Sequence, residues 1–158
     1  MSSRTAMIQW YAERVGKVSY ASDPMERFGP DAYDSASALL ASLVAGKFLS
    51  DGCIHGDMSF ILHLEGVLLH PINSSQVQAG DVFIADLSFF GHQRPTTYCG
   101  VFQDKIDAYV CSPEAQGIDQ IARCELPRLR TRYYRLSEPV NNFWLSPDFK
   151  VKRQAFQQ

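Results

Sequence analysis

The chain has 158 residues, of which 46% are hydrophobic and 20% charged, with a formal net charge of -2. That length suits one domain with its own core, and the near-neutral balance lacks the basic excess of a nucleic-acid-binding surface. No run approaches the roughly 20 apolar residues of a membrane span, and no apolar segment of a signal peptide follows Met-Ser-Ser-Arg-Thr, so the sequence predicts synthesis in the cytosol with any release by another route.

Thr5 is placed to cap a first helix in which Met7, Ile8, Tyr11 and Val15 share one face and which Gly16 ends, with Trp10 beside that stripe. A short segment at residues 17–20 leads into a polar passage, 21–30, broken by Pro24, Gly29 and Pro30. Residues 35–45 form a second helix, with Ala36, Leu39, Leu40, Leu43 and Val44 on its buried face and Gly46 closing it. Asp34 and Ser35 stand at its start. A helix N-terminus offers free backbone N–H groups and a partial positive charge, which suits a nucleophile whose anion needs support. Asp and Ser are also ordinary N-caps, and local chemistry alone favours the cap. A third helix is predicted over 57–65, stopping at Gly66. His55 and His63 lie eight residues apart with no acidic partner at matching spacing, so they predict no metal pair.

From there the pattern turns to β. Residues 67–70 make a short strand, and 82–87 a strongly apolar one after the Gly80-Asp81 turn. A loop over 88–95 carries His92 and Arg94. Strands follow at 96–103, 108–111, 118–123 and 131–136, the last with clear alternation. Helices first and a sheet afterwards predict an α+β fold: N-terminal helices packed on a mostly antiparallel sheet of about five or six strands. Cys53, Cys99, Cys111 and Cys124 form no C-x-x-C pair, so neither a zinc site nor a disulfide framework is supported, and no cofactor is predicted. The Lys and Arg residues between 123 and 135, with Lys150, Lys152 and Arg153, read as solvated surface. The pattern divides the chain into a domain, 1–137, and a tail, 138–158. Val140, Phe143, Trp144 and Phe149 of the tail either pack back on the body or contact another chain, a second copy included.

Several blocks carry a resemblance. Trp10-Tyr-Ala-Glu-Arg-Val-Gly-Lys-Val-Ser-Tyr20, Arg27, and Gly-Pro-Asp-Ala-Tyr-Asp-Ser-Ala-Ser-Ala-Leu from Gly29 are followed in order by Gln78-Ala-Gly-Asp-Val-Phe-Ile84, Gly100-Val-Phe102, Val110-Cys111, Gly117-Ile118 and the Tyr-rich strand at 132–136. Over about residues 5–137 this resembles the bacteriophage peptidoglycan hydrolases of the NlpC type, papain-like cysteine hydrolases that cut amide bonds of the cell wall. The resemblance implies a papain-like NlpC-type fold. It also implies that the residue after the Tyr-Asp pair is the nucleophile, that the residue opening the strand before Gly-Val-Phe is its base, and that the residue before Cys111 orients the base. Those positions hold Ser35, Tyr98 and Val110, and all three depart from the family pattern. A serine hydroxyl needs a base within reach. A phenol with an ordinary pKa of about 10 stays protonated at neutral pH, and valine orients nothing. Strand alternation turns Cys99 and Cys111 away from Tyr98 and Val110, as packed thiols.

The resemblance therefore implies a catalytically inactive relative, kept as a binding or assembly module for peptidoglycan fragments, a protein partner or another copy of itself. Two further readings stay open: an active hydrolase with a rearranged Ser35/His92 site, and an engineered Cys-to-Ser variant of an active lysin, which accounts for Ser35 alone. Tyr20, Arg27, Asp31 and Asp34 match family positions near the nucleophile. Either they line a groove for a short acidic peptide, or Asp31 and Asp34 shape the turn and cap the helix, Tyr20 packs, and Arg27 is a surface charge or pairs with Asp31.

Overall fold

The structure is a computed structural model and describes residues 2–86 and 97–138. Leu87, the loop residues His92 and Arg94, and the apolar residues of the tail lie outside the described residues. Helix α1 (Arg4–Ala12) is capped by Ser3 rather than Thr5: the Ser3 backbone is extended and its hydroxyl accepts the Ala6 N–H at 3.0 Å. It ends at Ala12, short of Val15. The chain then winds into tight turns, Arg14 N–H to the Tyr11 carbonyl and Lys17 N–H to the Arg14 carbonyl, and leaves them at Gly16 with φ 73°.

Strands β1 (Ser19–Tyr20) and β2 (Ala32–Tyr33) pair in parallel, an element too short for periodicity to reveal. The loop between them turns at Gly29, where φ is 77° and any side chain would strike the Tyr33 ring. Helix α2 (Ser35–Ala45) follows at once. Asp34 and Ser37 close a reciprocal capping box, the Asp34 carboxylate accepting the Ser37 N–H at 2.8 Å and the Ser37 hydroxyl accepting the Asp34 N–H at 3.0 Å. Eight of the eleven α2 residues are buried, because small Ala and Ser side chains let neighbouring elements approach from several sides. A 3-10 turn (Asp51–His55) leads to α3 (Met58–Leu62), capped by Asp57 and already ended at His63.

The strands are β3 (Leu69–Ile72), β4 (Val82–Asp86), β5 (Thr97–Phe102), β6 (Asp107–Ser112), β7 (Gly117–Ala122) and β8 (Thr131–Leu136). They form one six-stranded sheet in the order β3-β8-β4-β5-β6-β7, with every neighbouring pair antiparallel. The expected α+β architecture is thus present, with β8 inserted between β3 and β4. Arg135 of β8 fixes that insertion by gripping the fully buried Asp81 carboxylate before β4, at 3.0 and 3.1 Å.

Alternation gives the sheet two buried faces. Ile84, Cys99, Val101, Tyr109 and Cys111 meet Met7, Tyr11, Leu39, Leu40 and Leu43 of α1 and α2, and the Tyr11 ring stacks on Tyr109 with centroids 5.7 Å apart. The opposite face carries Phe83, Ala85, Tyr98, Phe102, Ala108 and Val110, covered by Val77 and Leu126. At Gly100 the strands approach so closely that a Cβ would collide with the Tyr109 carbonyl and the Phe83 ring. Beyond that point the seam opens: the β5–β6 ladder stops at Gly100 and Val110, while both strands run on toward the start of α2.

Candidate functional site

The site lies where α2 begins over this opened seam. Ser35 is the first residue of α2 and is 3% exposed. Below it, the Cys99 thiol donates to the Ser35 carbonyl at 3.4 Å, and the Cys111 thiol to the Tyr33 carbonyl at 3.1 Å. The two thiols therefore seat the helix tip on the sheet. Burial, reinforced by the Asp34 carboxylate, pushes the Cys111 thiol up to about 12. The same two causes raise Cys99 further, against a hydrogen bond from the Ser35 side chain. Both are protonated packing groups, as the alternation of the sequence implied.

Arg27 is neither a surface charge nor a partner of Asp31. It is buried, and its Nε and second nitrogen donate to the two Asp34 carboxylate oxygens at 2.6 and 3.3 Å. It also donates to the Gly56 carbonyl at 3.1 Å and stacks over Phe28. Asp34 is thus both the helix cap and the anchor of the loop before it. Asp31 is exposed; its carbonyl accepts the Ser19 N–H, which holds β1, and its side chain contacts no described polar group. Tyr20 sits between the helix tip and the sheet. Burial raises its phenol to about 12, with Asp34, Cys111 and Glu114 adding to the rise and Arg27 opposing it. Tyr33, the register partner of Tyr20 in the β1–β2 pair, immediately precedes Asp34, so Tyr20 stands beside the Arg27–Asp34 pair, which the Asp31 side chain does not join.

Tyr98 and Val110 belong to the sheet face turned away from α1 and α2, where they are 4% and 6% exposed. The Tyr98 hydroxyl donates to both oxygens of Glu114, at 3.2 and 3.3 Å. Burial raises its pKa well above the usual phenol value; the Glu114 charge and hydrogen bond, then Tyr20, add to the rise. Tyr98 is therefore a proton donor. Its partner Glu114 stands in the turn after β6 and was missed by the sequence reading. Its only signal was a position four residues beyond Val110, just past the strand end. Among the described residues no imidazole hydrogen-bonds to Ser35: His55 lies edge-on to Phe28, His63 contacts the Ser59 carbonyl, and His70 is on β3 paired to β8. His92, the substitute base of the rearranged-site reading, lies outside the described residues.

Tyr98, Val110 and Glu114 also border a cavity of about 300 Å³ on that far face, floored by Phe83 and Ala85 and walled by Leu126. Among the described residues no group of three or more His, Cys, Asp or Glu side chains could hold a metal ion, and no helix is long and apolar enough to cross a membrane.

No curated protein matches the chain. The solved structures that share its fold include NlpC1 and NlpC2 from Trichomonas vaginalis. NlpC1 is 14% identical with a TM-score of 0.57 over 85% of this chain, and NlpC2 is 12% identical with a TM-score of 0.51 over 86%. The chain spans 44% of the length of each. In sequence, residues 3–137 match the family described as bacteriophage peptidoglycan hydrolase, across all three α-helices and the whole sheet. The chain belongs to the bacteriophage peptidoglycan hydrolase family.

Proposed function

We propose that this protein binds peptidoglycan through the hydrolase scaffold without cleaving it. The reading is carried by the group at the position of the general base. A nucleophilic hydroxyl must lose its proton as it attacks, and the acceptor must be deprotonated and within reach. Tyr98 fails the first demand: its phenol holds its proton more tightly than usual and directs it to Glu114. Asp34, the carboxylate beside Ser35, is committed to Arg27 and to the Ser37 N–H. Loss of one member of such a unit commonly lowers the rate by several powers of ten. Ser35, Tyr98 and Val110 then mark the retired catalytic positions, while Tyr20 and the Arg27–Asp34 pair shape the wall of the groove beside them.

Release of soluble fragments from purified peptidoglycan, measured beside retention of the protein on the same insoluble wall, tests the reading. The expected result is retention without release, both unchanged in Ser35→Ala. Fragment release by the natural protein that Ser35→Ala abolishes would overturn it in favour of a working hydrolase.

A further inference from the structure

The far face of the sheet holds a cavity that packing alone leaves unexplained. No described helix covers this face. Ala85 is small where its neighbour Phe83 is large, the β5–β6 seam is open, and the segment from Glu125 to Pro127 forms a wall without filling the space. Protein interiors are close-packed, so about 300 Å³ lined mainly by Phe83, Val110, Ile121 and Leu126 is a space of ligand size, at the small end of the usual range. Beside the neutral hydroxyls of Tyr98 and Ser112, its charged lining has one sign. Glu114 and Glu125 border it, and no basic side chain of the described residues does. Glu125 makes no hydrogen bond or ion pair with any described residue and is exposed to solvent. Arg123, two residues away, is directed elsewhere, to the Lys105 and Ser74 carbonyls at 3.1 and 3.0 Å.

From this we infer that the cavity takes an aliphatic chain ending in a primary ammonium: methylenes against the valine, isoleucine and leucine side chains, and the ammonium at the carboxylate rim. Apolar walls without the carboxylates would not distinguish an amine from a hydrocarbon, and an acidic rim without the cavity would be ordinary surface. Two sources offer this chemistry, the diamino-acid side chain of a wall peptide and a free diamine. Only the first depends on the peptidoglycan-binding reading above.

The test is an amide-shift titration of the whole chain with four probes: Nα-acetyl-L-lysine methylamide, its norleucine and 2-aminoadipate counterparts, and 1,5-diaminopentane. The lysine probe should shift the amides of Val110, Ile121 and Leu126. It should bind about three- to fivefold more tightly than the neutral norleucine probe, as expected for a partly exposed ion pair, and the 2-aminoadipate probe should not bind. Glu125→Lys, at an exposed position that does not threaten folding, should erase or invert that preference, and Ile121→Trp should fill the space and block binding. Tighter binding of the lysine probe than of the diamine assigns the source to a peptide; the reverse order assigns it to a free diamine. Equal binding of lysine and norleucine probes, shifts confined to the start of α2, or no shift up to millimolar probe overturns the inference. Retention on the wall, measured separately, keeps the two readings apart: retention without an amine preference sinks only the cavity, and an amine preference without retention sinks only peptidoglycan binding.

Discussion

The guanidinium of Arg27 and the carboxylate of Asp34, seven residues apart, form a two-pronged pair at the tip of α2, with 2.6 Å between Nε and Oδ2. The same carboxylate receives the Ser37 N–H. One side chain therefore caps the helix and fastens the loop that carries Tyr20 past it, so the shape of the site and the stability of the helix are a single property.

Removing Arg27 leaves the mostly buried Asp34 carboxylate without its counter-charge and the Gly56 carbonyl without the guanidinium donor. Arg27→Ala is expected to lower the unfolding free energy by about 2–3 kcal/mol, measured by urea denaturation. Asp34→Asn keeps a good cap but loses the charge of the pair, and the double variant should cost clearly less than the sum of the two single ones. Full additivity would mean that the pair contributes nothing of its own.

Three of the four cysteines are buried, and only Cys124 is exposed. Thiolate is the reactive form, and burial disfavours it at Cys53, Cys99 and Cys111. A chromogenic disulfide reagent at pH 8 should titrate one thiol quickly in the folded protein and all four after denaturation. Cys124→Ser should abolish the fast phase. Rapid reaction of a second thiol would contradict the seating of the helix tip on Cys99 and Cys111.

Stability should fall in alkali. Tyr20, Tyr98, Tyr134, Cys99 and Cys111 all hold their protons more tightly when folded, chiefly through burial. Their contribution is complete below the unfolded-chain values, about 8.5 for cysteine and 10 for tyrosine, and is lost as pH rises through these toward the folded values. Those folded values are about 12 for Tyr20, Tyr134 and Cys111. Urea midpoints should be level through neutral pH and decline steadily in the alkaline range. Tyr98→Phe should remove part of the decline, and an unchanged slope would rule out Tyr98 as a contributor.

Gly100→Ala places a methyl against the Tyr109 carbonyl, whose strand is held in the β5–β6 ladder, and against the Phe83 ring, which is fully buried in the far-face cluster. The expected cost is about 2–3 kcal/mol, or a melting temperature lower by about 5–10 °C. Calorimetry checks it, and an unaltered melting temperature would refute the close approach of the two strands.

Much of this architecture is readable from local pattern. The Asp34 cap, the apolar helix behind it, the alternation at 131–136 and the opposed directions of Tyr98 and Cys99 are all consequences of residues within one turn or one strand of each other. Capping and side-chain parity are properties of the local backbone, so sequence alone determines them. The misplaced features were those where a nearby competitor acts, such as Ser3 displacing Thr5 as the α1 cap.

Long-range choices belong to the tertiary structure. Parity states which residues share a face, but not which strand lies alongside, so the insertion of β8 between β3 and β4 had no local signal. The partner of Arg27 was undecided between solvent and Asp31 until the β1–β2 pair folded the loop back onto Asp34. Glu114 became the acceptor for Tyr98, and the cavity beside them took its acidic rim, only because β5, β6 and the segment after β7 converge in space. Such contacts arise from the balance of loop closure against burial over the whole chain, and no window of sequence contains that balance.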